Sequence, residues 1–413
     1  MLYIIFLVGG QALDVTCVIV AHHLETGSRM PPSPPPRNGY IDGLRALAIC
    51  TVLILHFALS YGLKQSPLGL LPNGVLRALA MHGNYGVTIF FTISGFLITS
   101  NVLQRWGSLD RIDLRSFYVL RAARILPPLL PALAVIVVLG CLGLPSFNNS
   151  DGAHQLPASH FVLGVGSVLT FWHNVLMQSE GYFNYCLNVY WSLSVEEMFY
   201  LLMPLCCLLL RRQWLFVLAC LVVIGAAPFY RAAHADNEIY YMYGYLACFD
   251  AIAIGCVAAL LARRLVLAPV PSRLLRWGSL LVMGAVYLRG FGGAEAWGFS
   301  LMALATAVFL LGAAPAGEAA GGPRWSAPWR WLGRNSYELY LYHIIVLAGL
   351  RNLVEKSELN YATRLPLLVL FVALSCALAA LVARYVSEPA NRGLRRRWLH
   401  VPVIKTGAAA MTR

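Results

Sequence analysis

The chain has 413 residues, 59% of them hydrophobic and only 12% charged, with a formal net charge of +13. A soluble chain carries about a quarter charged residues, so this composition excludes an ordinary water-soluble globule. The apolar runs are continuous rather than alternating, which selects helical membrane spans over a transmembrane barrel.

Residues 1–22 are apolar but contain Asp14, and lack both a basic segment in front and a convincing small-residue cleavage site. Residues 28–36 (Ser-Arg-Met-Pro-Pro-Ser-Pro-Pro-Pro) form a proline-rich linker that cannot be helix. Residues 1–39 are therefore read as an extension and linker. Met30 is a candidate start within it; an extra anchor helix is the other reading. Ten spans are expected after that, at 40–62, 85–103, 126–144, 190–210, 214–231, 241–262, 274–290, 297–314, 336–351 and 365–386.

An eleventh apolar stretch, 161–178, is decided by charge. Lys and Arg collect in cytoplasmic loops. With ten spans and Arg37 inside, most basic residues fall inside, and the outer loop 145–189 has none. Counting 161–178 as a span would move most of that charge outside, so it is expected to be interfacial or re-entrant. The net charge thus reads as membrane topology, not as a nucleic-acid surface. The expected fold is an all-α membrane protein, a bundle of about ten transmembrane helices over 40–392. Both ends of that core are cytoplasmic, and a basic tail follows at 393–413. The ten cysteines lie mostly in apolar runs without CxxC or Cys/His ligand spacing. They predict neither a disulfide framework nor a metal site.

Five stretches place polar groups where lipid would surround them, and such groups mark functional sites. The first span carries Arg45 and His56, eleven positions apart. At about 100° per residue both side chains leave one face, with His56 roughly 16 Å deeper. A neutral imidazole in a dry site can take a proton from a hydroxyl, but needs an acceptor on its other nitrogen. The orienting group must come from another helix or from backbone. Ser94-Gly95 in the second span permits close helix approach, a kink or a substrate opening. Arg121 and Arg124, at i and i+3 in the most basic loop, suit phosphate groups or anionic lipid, and Pro127-Pro128 are expected to interrupt that helix. Trp191 fits an interfacial aromatic belt, and Glu196 lies deep enough to need a partner, whereas Glu197 is the better candidate for an exposed interfacial acid. Tyr337, Tyr340, Tyr342 and His343 enter the ninth span together, and Asp250 is a further acid in the sixth.

This combination resembles the acyltransferase-3 family of integral membrane O-acyltransferases. The motifs are Arg-x10-His at Arg45 and His56, Phe-Phe-x-Ile-Ser-Gly-Phe at 90–96, and Arg-x-x-Arg at Arg121 and Arg124. Trp-Ser-Leu-x-Val-Glu at 191–196, Ser-Tyr-x-x-Tyr-x-x-His at 336–343 and Glu388-Pro389 complete the set. The resemblance implies an acyltransferase that takes acyl groups, often acetyl, from cytoplasmic acyl-CoA as donor substrate, with no resident cofactor. It implies a carbohydrate or glycosylated acceptor, a bacterial inner membrane, a catalytic His56 and a donor site at Arg121 and Arg124. Read with the residues, Arg45 and Glu196 join His56 as catalytic candidates, and Ser94, Trp191, Asp250, Tyr337 and His343 as supporting groups. A transporter or flippase of a lipid-linked or small polar substrate is the competing reading of the same buried charges. Against it stands the lack of a two-fold repeat among the spans.

Overall fold

A computed structural model describes residues 38–150, 155–265, 267–314 and 324–399. The N-terminal extension as far as residue 37 and the basic tail beyond 399 lie outside the described residues. Within them the regular elements are all helices. Helix α1 (Gly39–Tyr61) starts where the Asn38 side chain accepts from the Tyr40 N–H. It ends at Gly62, whose φ of 75° turns the chain out and whose N–H reaches the Ala58 carbonyl. That left-handed position is one glycine tolerates without cost. After the short α2 (Asn73–Met81) comes α3 (Asn84–Trp106), again stopped by a left-handed glycine, Gly107. Helix α4 (Leu114–Cys141) is capped by the Asp113 carboxylate, which accepts from the Ser116 N–H at 3.0 Å. Hydrogen bonds from Ser116, side chain and backbone, hold the Asp113 carboxyl below its usual range.

Pro127 and Pro128 do not interrupt α4; the helix runs through them and Pro131. Prolines inside membrane helices are tolerated where neighbouring groups satisfy the backbone they disturb. Close to these prolines, Tyr337 donates to the Ile125 carbonyl at 3.2 Å and Tyr342 to that of Pro128 at 2.8 Å, tying α4 to α14.

The stretch 161–178 splits at Phe171, a non-glycine residue with φ 65°. Helices α5 (His160–Leu169) and α6 (His173–Glu180) result. Ten residues of helix rise about 15 Å, half the ~30 Å of hydrocarbon, so neither element spans.

The remaining helices are α7 (Trp191–Leu210), α8 (Gln213–Ala233), α9 (Glu238–Tyr243), α10 (Tyr245–Ala262), α11 (Pro269–Arg289), α12 (Gly298–Ala313), α13 (Ala327–Arg334), α14 (Ser336–Leu353), α15 (Tyr361–Val382) and α16 (Glu388–Trp398). A π-helical turn at Ala383–Ser387 joins the last two, and α16 extends across the tail boundary expected at 392.

All ten expected spans are helical. Among the described residues seven helical stretches have the length and apolarity to cross a membrane: Gly39–Tyr61, Asn84–Trp106, Leu114–Cys141, Asn188–Leu210, Gln213–Ala233, Glu238–Ala262 and Tyr361–Trp398. The other three fall short for visible reasons. Helix α12 has only 16 residues. Helix α11 carries Arg273, Arg276 and Arg289, and α14 carries Glu338, His343, Arg351 and three tyrosines.

Helix α3 lies at the centre and is the most enclosed of the seven. It crosses α10 at two glycines. A Cβ on Gly95 would stand 2.0 Å from the Ile252 carbonyl oxygen, and one on Gly255 2.1 Å from that of Thr92. The backbones touch where side chains would otherwise separate them. Beside this crossing, Arg231 of α8 and Asp250 of α10 form an ion pair at 2.9 Å, with exposures of 0% and 1%.

Candidate active site

Helices α1 and α14 lie side by side and are joined at two rungs. At the first, Arg45 Nε and Nη2 donate to Ser336 Oγ at 3.2 and 2.9 Å. At the second, His56 Nδ1 faces His343 Nε2 at 3.1 Å. The rungs occur in the same order along both chains, so the two helices run parallel. The eleven-residue spacing that puts Arg45 and His56 on one face of α1 turns both towards α14.

The second rung fixes where protons sit. His343 Nδ1 faces the carbonyl oxygens of Leu339 at 3.0 Å and Tyr340 at 2.8 Å. A carbonyl only accepts, so Nδ1 carries the proton and Nε2 is left as a bare acceptor. His56 Nδ1 meets that acceptor and also the Val52 carbonyl at 3.0 Å. It too must be N–H. The lone pair of His56 is therefore on Nε2, which has no hydrogen-bond partner among the described residues. That is the state a general base requires. The orienting group missing from the first span is thus supplied twice, by the helix's own backbone and by α14.

Between α1, α3, α4, α7 and α14 lies a cavity that includes the first rung. Its polar wall includes Arg45, Ser94, Arg121, Arg124, Glu196 and Tyr337, all singled out in the sequence. Ser94 donates to Glu196 Oε1 at 2.5 Å, and Tyr200 donates to the same oxygen. The Ser94 and Tyr200 hydroxyls also touch each other. The Arg121 guanidinium stacks over the Tyr200 ring, 4.6 Å from its centroid. Tyr340 closes the upper wall: its hydroxyl pairs with Ser192 Oγ at 2.5 Å and donates to the Val189 carbonyl at 2.7 Å. Its ring centroid is 5.9 Å from that of His343, so the histidine pair adjoins the cavity without lining it.

Several residues differ from their sequence reading. Glu197 is the buried member of its pair, at 5% exposure, and also lines the cavity. One helix position turns a side chain by about 100°, and α7 presents both acids to the bundle rather than to solvent. Trp191 is not in an interfacial belt but buried, with ring contacts to Phe91 at 6.0 Å and Tyr243 at 4.4 Å. It borders a smaller second cavity that Asp250 also reaches. Asp250 stands apart from the arginine-lined cavity, fully engaged by Arg231 Nη2, by Ser300 Oγ at 2.5 Å and by the Ala251 N–H at 2.8 Å. Arg231 also donates to the Ala296 and Ala247 carbonyls, so the pair is satisfied on both sides. Tyr200, Ser192, Ser336 and Tyr340 belong to the cavity without having been singled out as site residues. Tyr200 follows Glu196 by four positions, the one sequence signal that could have found it.

A family profile described as an acyltransferase domain matches residues 38–384, and the chain belongs to that acyltransferase family. Among curated proteins, the O-acetyltransferase OatA of Staphylococcus aureus (strain NCTC 8325 / PS 47) is 25% identical over 376 residues, 85% of this chain and 57% of that protein. The same protein of strains COL and N315 matches with the same figures. This chain therefore spans a little over half the length of these relatives. No solved structure matches.

Proposed function

We propose that the chain is a membrane O-acyltransferase of the bacterial inner membrane. It moves an acyl group, acetyl first, from cytoplasmic acyl-CoA to a hydroxyl of a carbohydrate or glycosylated acceptor. The observation that carries this is the unpartnered Nε2 of His56, with Nδ1–H tied to His343 and Val52, in a chain of an acyltransferase family.

The acceptor hydroxyl gives its proton to His56 Nε2 as its oxygen attacks the thioester carbonyl. The imidazolium that forms keeps Nδ1–H on the His343 lone pair, which stabilises its charge. Collapse of the tetrahedral intermediate breaks the C–S bond, and the CoA thiolate takes the proton back from Nε2. Arg121 and Arg124 hold donor phosphates at the cavity wall. Ser336 and His343 are seven residues apart on α14, a rise of about 10 Å, so Arg45 grips the body of the donor rather than the reacting carbonyl.

The test is CoA release from acetyl-CoA by the full chain in lipid nanodiscs. His56→Ala is expected to abolish transfer while the protein inserts and purifies as the wild type does; wild-type rates in that variant would overturn the assignment. Arg121→Ala with Arg124→Ala is expected to raise KM for acetyl-CoA at least about tenfold and leave acceptor KM unchanged. An equal effect on both substrates would leave these arginines only a topological role.

A further inference from the structure

Arg121 and Arg124 are not alone at their end of the cavity. Helix α16 packs along α4. This brings Arg395 within electrostatic reach of Arg105, Arg121 and Arg124. Arg105 sits one turn beyond Asn101, which lines the cavity. Four guanidiniums from three separate helices thus lie within electrostatic reach of Arg395 or belong to it, and two of them are on the cavity wall. Among the described residues none of the four is ion-paired with a carboxylate. The one acid of α16, Glu388, is seven residues from Arg395, about 10 Å along the axis. Glu196 and Glu197 share the cavity wall with Arg121 and Arg124 but make no salt bridge to them. Like charges repel even at a wet surface, and guanidiniums not neutralised by ion pairing form a receptor for a polyanion.

The four divide by position. Arg121 and Arg124 line the cavity, whereas Arg105 and Arg395 lie outside its lining. A donor whose thioester points inward leaves its diphosphate at the wall and its ribose phosphate further out. We propose that Arg395, with Arg105, binds the ribose 3′-phosphate of the acyl-CoA donor, so that the C-terminal helix is part of the donor site. This rests on the reading above that acyl-CoA is the donor. Anionic lipid headgroups offer the same phosphate chemistry, and the experiment separates the two.

The full chain is assayed in nanodiscs of zwitterionic lipid and again with phosphatidylglycerol, with acetyl-CoA and acetyl-dephospho-CoA, which lacks only the 3′-phosphate. Wild type is expected to favour acetyl-CoA in kcat/KM by about tenfold or more in both lipids. Arg395→Gln should bring that ratio close to one through the KM for acetyl-CoA, and Arg395→Lys should restore part of it. Arg121→Gln should weaken both donors alike. In the wild type, 3′,5′-ADP should inhibit more strongly than 5′-AMP. An unchanged donor ratio in Arg395→Gln overturns this assignment alone. A loss that appears only with phosphatidylglycerol and falls equally on both donors also overturns it, and gives the cluster to lipid. If wild type consumes neither thioester, the donor reading falls and this one with it.

Discussion

His343 and the Val52 carbonyl together fix which nitrogen of His56 carries a proton, and a substitution at His343 should change rate more than affinity. His343→Ala removes one of the two acceptors that hold the His56 Nδ1–H, leaving the Val52 carbonyl, and is expected to lower kcat by about tenfold or more with little change in either KM. His343→Gln keeps an acceptor towards His56 and should retain more activity than His343→Ala; steady-state kinetics on both variants checks the order. The ion pair of Arg231 with Asp250 makes a different claim. Removing one partner strands a buried charge, so Asp250→Leu should cost about 3–5 kcal/mol. Replacing both, Arg231→Met with Asp250→Leu, should cost less. Unfolding midpoints in detergent would show whether the double variant recovers. Both sites were only half legible in the sequence. The phase of Arg45 and His56 follows from helix pitch, but helix pitch says nothing about which helix lies alongside. Asp250 read as a lone acid because its partner is 19 residues away on another helix. The Glu196/Glu197 ambiguity has the same root: adjacent positions on a helix differ in facing by an amount smaller than the error in placing its rotation from apolar residues alone.

Among elements, the crossing of α3 with α10 depends on backbone contact at Gly95 and Gly255. Gly95→Val or Gly255→Val must push the helices apart, since the obstructing atoms are carbonyl oxygens that cannot move aside. Each is expected to lose about 1–3 kcal/mol of stability and to displace Ser94 from Glu196. The thermal midpoint in detergent should fall, and activity should fall at temperatures where the variant remains folded. The Ser-Gly motif was visible in the sequence, but not which helix met it. Helix α4 shows the opposite case. Its proline pair reads as a break, yet the helix continues, tied to α14 by tyrosines more than 200 positions away. Local rules gave a wrong end because packing in a bundle overrides a proline's local preference.

The chain as a whole joins an asymmetric charge distribution to a cavity with Arg121 and Arg124 on its wall. The proposed orientation puts Arg115 inside and Gln155 outside. A membrane-impermeant maleimide should therefore label Gln155→Cys on intact cells above the wild-type background, and Arg115→Cys only after permeabilisation; the reverse pattern would invert the donor and acceptor sides. Helix existence was readable throughout, because apolar runs of this length leave few alternatives. Which helices cross in full was less so, since polar residues that serve a cavity lower the apolarity by which spans are recognised, as in α14.

The two rungs between α1 and α14 link residues 291 and 287 positions apart. A growing chain delivers its N-terminal part first. During most of synthesis the bilayer thus holds a histidine with one ring nitrogen anchored only to its own backbone, and an arginine with no serine to meet. On the mechanism proposed above, the pair that orients His56 is assembled only once α14 has been made. A chain abandoned before α14 would hold His56 without that partner, so under the proposed mechanism an N-terminal fragment is expected to be inactive.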